Sequence, residues 1–321
     1  MDDIQLFRYL ISKNIGICET YETIEHVRMN YNHEITKYDI NLTTLMRASR
    51  DGRDKYVKIL ANTNEVGLIN EDGYTALMYA AINGHEKCVK ILSNTKEIGM
   101  LCGNRRTALI HAARCGYDKC VEVLSKTIEV GYEDVYSQTA LIYASRDGYD
   151  KCVEVLAKTK EVDMRDKHGR TALFNALYYD KCVAILANTK EIGMKIYNEK
   201  TALMDAVSDG CYNSAKILMT KELGMKDISE KTALIYAAKH GSVKGVKLLM
   251  TTKELGMKDK AGLTALMYAA VYGHDECVKL LMTTKELGMK SKNGNTALML
   301  AANERQYKWI YRFKMCKNVW K

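Results

Sequence analysis

Apolar residues follow a helical period in a repeat that runs over residues 75–106. Leu77, Ala80 and Ala81 occupy positions i, i+3 and i+4, which places them on one side of a short helix. A second apolar stripe follows after a few polar residues and consists of Cys88, Val89, Ile91 and Leu92. Two helices of roughly ten residues cannot bury these stripes alone, so the pattern predicts stacking on copies of the same repeat.

Polar residues and glycine mark where these helices begin and end. Thr75 precedes the first stripe and is a good N-cap, since its hydroxyl can accept a hydrogen bond from an amide of the first turn. Gly84 follows the stripe and can adopt the left-handed conformation that ends a helix. Proline is absent from the chain. We therefore expect glycine and polar turns to separate the helices, with a loop over residues 97–106 that crosses to the next repeat.

The tripeptide Thr-Ala-Leu recurs along the chain at a nearly fixed spacing of 30 to 32 residues. Its copies begin at Thr75, Thr107, Thr139, Thr171, Thr201, Thr232, Thr264 and Thr296, and Thr43-Thr44-Leu45 is a ninth, altered copy. Self-similarity at such a period is typical of repeat architectures. The prediction is an all-α solenoid of about nine helix–turn–helix repeats joined by hairpin loops.

The two ends of the chain depart from this pattern. Residues 1–35 contain two weak amphipathic patterns, which predict degenerate N-terminal capping helices. Residues 36–303 form the repeat array, and residues 304–321 are predicted to form a C-terminal capping helix and a basic aromatic tail. Capping elements of this kind give a repeat array a polar outer face.

The motif Thr-Ala-Leu-x-x-Ala-Ala-x-x-Gly-His, followed by a Val-x-x-Leu helix, resembles the ankyrin repeat. Residues 74–85 and 263–274 carry the closest copies, and the resemblance covers residues 36–316. The sequence Lys-Glu-Leu-Gly-Met-Lys-Asp, at 221–227 and 253–259, is similar to ankyrin-only proteins of diplomonads such as Giardia, the protein 21.1 class. The resemblance implies an ankyrin fold and a protein-binding function.

The sequence departs from the ankyrin pattern at three places. Ala76 stands where the family usually has Pro, and Met78 stands where the family has a His that commonly hydrogen-bonds the loop. The other repeats also lack that His, so we expect their loops to be held more by packing than by that hydrogen bond. The fifth repeat lacks two residues between Ala176 and Asp180, which predicts a tightened or distorted turn.

The cysteines do not form a recognisable reactive site. One position of the second helix holds Cys88, Cys120, Cys152, Cys182 and Cys277. Equivalent residues of stacked helices lie about 8–10 Å apart, too far for a disulfide, so we expect small buried core residues. Another set, formed by Cys102, His111, Cys115 and Cys120, lacks the Cys-x-x-Cys spacing of structural zinc sites. Phosphate-binding, kinase and nucleophile motifs are also absent. We predict no enzyme activity, no cofactor and no metal.

Charge is concentrated in the last residues of the chain. Residues 305–321 carry six basic side chains and no acid, whereas the other 304 residues carry 42 basic and 39 acidic side chains. A nearly neutral body argues against nucleic-acid binding, which needs a clustered basic face. The chain also has no stretch of 18 apolar residues that would span a membrane. The tail, with Trp309, Phe313, Cys316 and Trp320, could be a cap or a basic amphipathic helix for an anionic surface.

The resemblance places the partner-binding surface on the concave face, along hairpin tips and exposed positions of the first helices. Tyr and Arg are the residues most enriched at interface hot spots. The predicted partner-binding residues are Tyr74, Tyr79, Arg106, His111, Tyr143, Arg170, Lys200, Lys231, Tyr236 and Tyr268. The alternative for the tyrosines is that they pack against the neighbouring helix.

These observations favour a non-enzymatic scaffold or adaptor that binds a protein partner in the concave groove. The alternative is a peripheral membrane or cytoskeletal anchor that works through the tail. The N-terminus opens with acids and lacks a basic region followed by an apolar stretch, so we expect no signal peptide and a cytoplasmic protein, with cytoskeletal association under the alternative. The expected partner is another protein, with no nucleic acid, and the expected oligomeric state is a monomer.

Overall fold

The structure is a computed structural model that describes residues 42–303. Every regular element in this range is helical, which agrees with the all-α prediction. The predicted caps at 1–35 and 304–321, and the basic aromatic tail, lie outside the described residues. No helix within residues 42–303 is long and apolar enough to cross a membrane.

The chain divides into two compact units, an N-terminal unit (Met1–Lys167) and a C-terminal unit (His168–Lys321). The described helices of the N-terminal unit are α1 (Thr44–Arg50), α2 (Asp54–Leu60), α3 (Ala76–Ile82), α4 (Glu86–Leu92), α5 (Ala108–Cys115), α6 (Asp118–Leu124), α7 (Ala140–Asp147) and α8 (Asp150–Leu156). They form four repeats, each with a first and a second helix. First helices pack on first helices and second helices on second helices, as expected for a stack.

The C-terminal unit continues the same alternation of helices. Its described α-helices are α9 (Ala172–Asn175), α10 (Asp180–Leu186), α11 (Ala202–Asp209), α12 (Tyr212–Glu222), α13 (Ala233–Lys239), α14 (Val243–Leu249), α15 (Ala265–Val271), α16 (Asp275–Leu281) and α17 (Ala297–Asn303). A short 3-10 helix occurs at Tyr197–Glu199. Here too the first helices of successive repeats pack against one another.

The threonine of each Thr-Ala-Leu copy ends an extended segment and begins the first helix. Thr75 has φ −97° and ψ 170°, and its hydroxyl accepts a hydrogen bond from the Met78 amide. Thr139 does the same for Ile142 at the start of α7. The predicted N-caps are therefore confirmed at these positions, and they fix the start of the first helix in its repeat.

The second helices carry the cysteine position into the core. All five of these residues are buried and none forms a disulfide: Cys88, Cys120, Cys152, Cys182 and Cys277. Burial raises the pKa of the Cys88 thiol to about 11 and that of Cys120 to about 12. The prediction that these thiols are small core residues is confirmed, and the raised pKa of Cys88 and Cys120 keeps those two thiols in the unreactive protonated form.

The fifth repeat has a shortened first helix. Helix α9 has four residues, and a turn over Ala176, Leu177 and Tyr178 replaces its second half before α10 begins at Asp180. The predicted distortion is present. It leaves Tyr178 with 70% of its surface exposed.

In the first eight described repeats, one buried glutamate lies beneath the start of the first helix. Glu161 is a clear example: its Oε2 accepts the Leu141 amide at 2.7 Å, and its Oε1 accepts the Gly131 amide of the preceding repeat at 2.9 Å. We call this two-sided arrangement a glutamate rung. Rungs with both bonds are formed by Glu97, Glu129, Glu161, Glu222, Glu254 and Glu286.

The rungs join adjacent repeats within each unit. Hydrogen bonds to a charged group stabilise a fold by about 1.5–3 kcal/mol each. Burial raises the pKa of the Glu161 carboxyl above its usual value, while the amide bonds from Gly131 and Leu141 act in the opposite direction. The carboxylate also lies at the N-terminus of α7, where the helix dipole favours negative charge.

Candidate protein-binding face

The hairpin loops that precede the first helices are held by side-chain hydrogen bonds. Asp134 is buried, and its Oδ1 accepts the amides of Tyr136 at 2.8 Å and Gln138 at 3.1 Å. Asp227, Asp259 and Asn70 do the same for their own hairpins. The sequence analysis weighed packing only against the missing His hydrogen bond, and the structure adds a third contribution: an Asp or Asn side chain closes these loops by accepting backbone amides.

The predicted tyrosines meet these hairpin carboxylates through their hydroxyl groups. Tyr143 donates to Asp134 Oδ2 at 2.6 Å, and Tyr236 donates to Asp227 Oδ2 at 2.9 Å. Tyr268 donates to Asp259 in the same way. In the second described repeat the roles reverse, and Tyr79 accepts from the Asn70 amide group. The first helix and the hairpin of a repeat are thereby fastened to each other.

Burial differs between these tyrosines. Tyr143 is 2% exposed and Tyr236 is 8% exposed, whereas Tyr79 and Tyr268 are half-buried. Burial, together with the bond to Asp227, raises the pKa of the Tyr236 hydroxyl well above its ordinary value, so it stays protonated as a donor. Within this group, Tyr79 and Tyr268 offer the larger accessible surface to a partner.

The predicted basic residues at the hairpin tips reach the tyrosine of the following repeat. Arg106 Nη2 donates to the Tyr143 hydroxyl at 2.9 Å, and Arg106 Nε donates to Asp134 at 3.2 Å. In the C-terminal unit, Lys200 lies over the Tyr236 ring and forms an ion pair with Asp205. Lys231 occupies the equivalent place over Tyr268, at 5.8 Å from the ring centroid. Arg170 is exposed.

Tyr74 and His111 form an aromatic cluster in the N-terminal unit. Their ring centroids are 5.2 Å apart, and Tyr74 also contacts Tyr79 at 5.7 Å. His111 is buried, and its Nε2 lies 3.6 Å from the Cys102 thiol. Burial, with the positive charges of Arg114 and Arg106, lowers the pKa of His111 to about 3. The imidazole is therefore neutral at physiological pH.

The described residues contain no arrangement of three or more His, Cys, Asp or Glu side chains that could hold a metal ion. Cys102 and His111 are neighbours, but Cys120 lies in the core of the second helices. The four-residue set considered from sequence is therefore divided between two places in the fold.

Several residues of this face were missed by the sequence analysis. The hairpin acceptors Asp134, Asp227 and Asp259 share one position relative to the capping threonine, five residues before it, and that repetition was the available signal. Arg114 and Arg146 lie seven residues after their capping threonines and both reach the Tyr143 ring. The rung glutamates recur with the same period as Thr-Ala-Leu, which would have identified them.

Comparisons with known proteins agree on the architecture. The family model described as ankyrin repeats (3 copies) matches overlapping segments at residues 3–100, 45–134, 92–166, 125–196, 158–229, 189–259 and 234–313. The crystal structure of the ankyrin repeat domain of Bcl-3, described as a unique member of the IkappaB protein family, is similar with a TM-score of 0.56 and 24% identity. The match covers 61% of this chain and 94% of that domain. No curated protein gave a significant match.

Proposed function

Because the chain belongs to the ankyrin-repeat family, we propose that it is a non-enzymatic scaffold or adaptor. It binds a protein partner on the surface formed by the hairpin tips and the first helices. Ankyrin repeats generally mediate protein–protein interaction, and a stack of this kind offers an open surface rather than a closed catalytic pocket. The partner is another protein, and its recognition takes place within the units described above.

The observation that carries this proposal is the contrast between the start and the middle of the first helices. The start is a buried threonine above a buried glutamate in seven consecutive repeats, from the one at Thr75 to the one at Thr264. The position four residues after that threonine instead changes from Tyr79 to His111 to Tyr143 in consecutive repeats. This variation changes the surface from repeat to repeat, with Tyr79 and Tyr268 half-buried and Arg170 exposed, and a regular scaffold with a variable surface is what selective recognition of a partner requires.

The proposal is tested by quantitative pull-down from native cytosol with variants of each unit. Tyr74→Ala/Tyr79→Ala alters the face of the N-terminal unit, and Lys231→Ala/Tyr268→Ala alters that of the C-terminal unit. A matched control, Lys119→Ala/Lys151→Ala, removes exposed lysines of the second helices. Circular dichroism must show that each variant is folded. We expect a partner captured near stoichiometry by the wild type to be lost from at least one face variant and retained by the control.

Retention of that partner by both face variants would contradict the proposed surface. Loss from the second-helix control alone would move the site to the opposite side of the repeats. Loss only after deletion of residues 316–321 would instead support an anchor that works through the tail.

A further inference from the structure

Three arginine side chains converge on one tyrosine in the N-terminal unit. The guanidinium carbons of Arg106, Arg114 and Arg146 lie 5.5, 5.3 and 4.6 Å from the centroid of the Tyr143 ring. The hairpin provides Arg106, α5 provides Arg114 and α7 provides both Arg146 and Tyr143. We call these four residues the arginine patch. A guanidinium group within about 6 Å of an aromatic ring is attracted to it, but three such groups also repel one another.

Only two of the three arginines are neutralised by carboxylates. Arg106 pairs with Asp134 at 3.2 Å, and Arg146 pairs with Asp147 at 2.9 Å. Arg114 has no ion pair within residues 42–303, and its Nε is buried without a hydrogen-bond partner there. Three positive and two negative side chains leave the patch with one positive charge in excess, and that excess is located at Arg114.

This arrangement is unfavourable in the unbound protein. A buried N–H that has lost water without gaining an acceptor destabilises the folded protein. The charge also acts on its surroundings, since Arg114 and Arg106 both lower the pKa of the neighbouring His111. Folded proteins retain such locally unfavourable groups chiefly at functional sites.

We propose that Arg114 binds a carboxylate of an acidic segment in the protein partner. This inference rests on the proposed function and adds the chemistry of the partner. A guanidinium presents a planar set of donors that matches a carboxylate with two parallel hydrogen bonds. One carboxylate matches the single excess charge.

The position of the arginine patch indicates which repeats the acidic segment contacts. The site seven residues after the capping threonine holds arginine in three repeats, of which only those with Arg114 and Arg146 are adjacent; the third, Arg50, lies in the first described repeat and pairs with Asp51. Other repeats have apolar, polar or lysine residues there, including Ile82, Ser208, Lys239 and Val271. The acidic segment therefore crosses the third and fourth repeats of the described chain.

A single carboxylate fits the patch better than a polyphosphate chain. The carboxylates of Asp134 and Asp147 lie directly beside the arginines and would repel successive phosphate groups. Nucleic-acid sites need several uncompensated basic residues on one surface. Here the excess is one charge, so the acidic side chain of a protein is the expected ligand.

The test uses a phage library of random dodecapeptides selected on the full chain. The selection is carried out in parallel on the wild type, on Arg114→Gln and on Arg53→Gln. Arg53 is exposed and lies outside the patch, so Arg53→Gln removes the same charge elsewhere. We expect peptides rich in Asp and Glu to be enriched by the wild type and by Arg53→Gln, and this enrichment to disappear with Arg114→Gln.

Fluorescence anisotropy with one enriched acidic peptide then measures the effect of each variant on Kd. We expect Arg114→Gln to weaken binding at least tenfold, which corresponds to 1.4 kcal/mol, and Arg53→Gln to change Kd less than twofold. Arg114→Lys retains the charge but loses the bidentate geometry, so it should fall between the two. Because the buried Nε of Arg114 has no acceptor within the described chain, we expect Arg114→Gln to melt at the wild-type temperature or above it. If Arg114→Gln fails to fold, the Kd values of Arg114→Lys and Arg53→Gln are compared instead, and weaker binding by Arg114→Lys supports the inference.

The outcomes separate this inference from the proposed function. Enrichment of peptides without acidic residues, or equal weakening by Arg114→Gln and Arg53→Gln, would overturn the acidic ligand and leave the protein-binding function standing. Binding to phosphatidylserine vesicles that depends on Arg114, without peptide enrichment, would overturn the class of partner. Enrichment of no peptide at all would overturn the inference and would also count against the proposed function.

Discussion

The glutamate rungs and the arginine patch place charge in the same repeats but use it in opposite ways. In a rung, a buried carboxylate such as Glu161 has each oxygen bonded to a backbone amide. In the patch, Arg114 has a charge that no described residue neutralises. This difference indicates that separate residues of each repeat serve stability and recognition. The rungs and the core stabilise the stacked helices, and the variable positions of the first helices remain available to bind a partner.

The largest effect should come from the core that both regions share. Leu141 is fully buried in α7, and Leu141→Ala would leave a cavity that lowers the free energy of unfolding by about 2–5 kcal/mol. Chemical denaturation would measure the loss. Leu68→Ala removes the same atoms from a side chain that is 47% exposed, so it should have an effect within about 0.5 kcal/mol. Equal effects at the two leucines would contradict the stacked-helix core.

Disrupting a rung should have the next largest effect. In Glu161→Gln the carboxamide has one acceptor oxygen for two amides, and its NH₂ group would face the other N–H. We expect a loss of about 1–3 kcal/mol in the free energy of unfolding. Glu154→Gln makes the same chemical change on the exposed side of α8 and should be nearly neutral. A neutral Glu161→Gln would show that the rungs do not stabilise the stack.

His111, which adjoins the patch, should make stability depend on pH. Its pKa is about 3 when folded, against 6.5 as the ordinary value, so the unfolded chain binds a proton first as the pH falls. Its contribution is therefore present above pH 6.5 and is lost toward pH 3, by about 2 kcal/mol between pH 7 and pH 5. In His111→Asn this loss should be absent. The buried glutamates also titrate as the pH falls, but they are the same in both proteins, so subtracting one stability profile from the other leaves the contribution of His111. Parallel pH profiles would contradict a buried neutral imidazole.

A small gain is expected at a hairpin tip. Ser137 has φ 54°, a left-handed conformation that glycine adopts at lower cost. Ser137→Gly should raise the free energy of unfolding by about 0.5 kcal/mol, because relief of strain exceeds the added entropy of the unfolded chain. Ser137→Ala keeps the strain and serves as the control. A gain from alanine and none from glycine would show that the hydroxyl group, not the backbone, determines stability here.

The sequence predicted the repeat architecture because its signals are local. Thr75, Leu77 and Gly84 lie within ten residues of one another and specify a cap, a stripe and a helix end. The face depends on contacts between residues far apart in sequence, such as Arg106 with Tyr143, separated by 37 residues. The periodicity of the sequence does not indicate which hairpin contacts which helix, so these hydrogen-bonded contacts could be identified only from the structure. Glu161 was missed because a charged residue in a loop is ordinarily solvated.

Each rung has one consequence for how such a chain can change in length. The carboxylate of one repeat needs the amide of its own Leu and the amide of the Gly one repeat earlier. Duplication or removal of one whole period therefore gives every new boundary a matching donor and acceptor, whereas an insertion that displaces the carboxylate from these two amides leaves it buried without a partner. Within a unit, the glutamate bonds are therefore preserved when the gene gains or loses whole repeats.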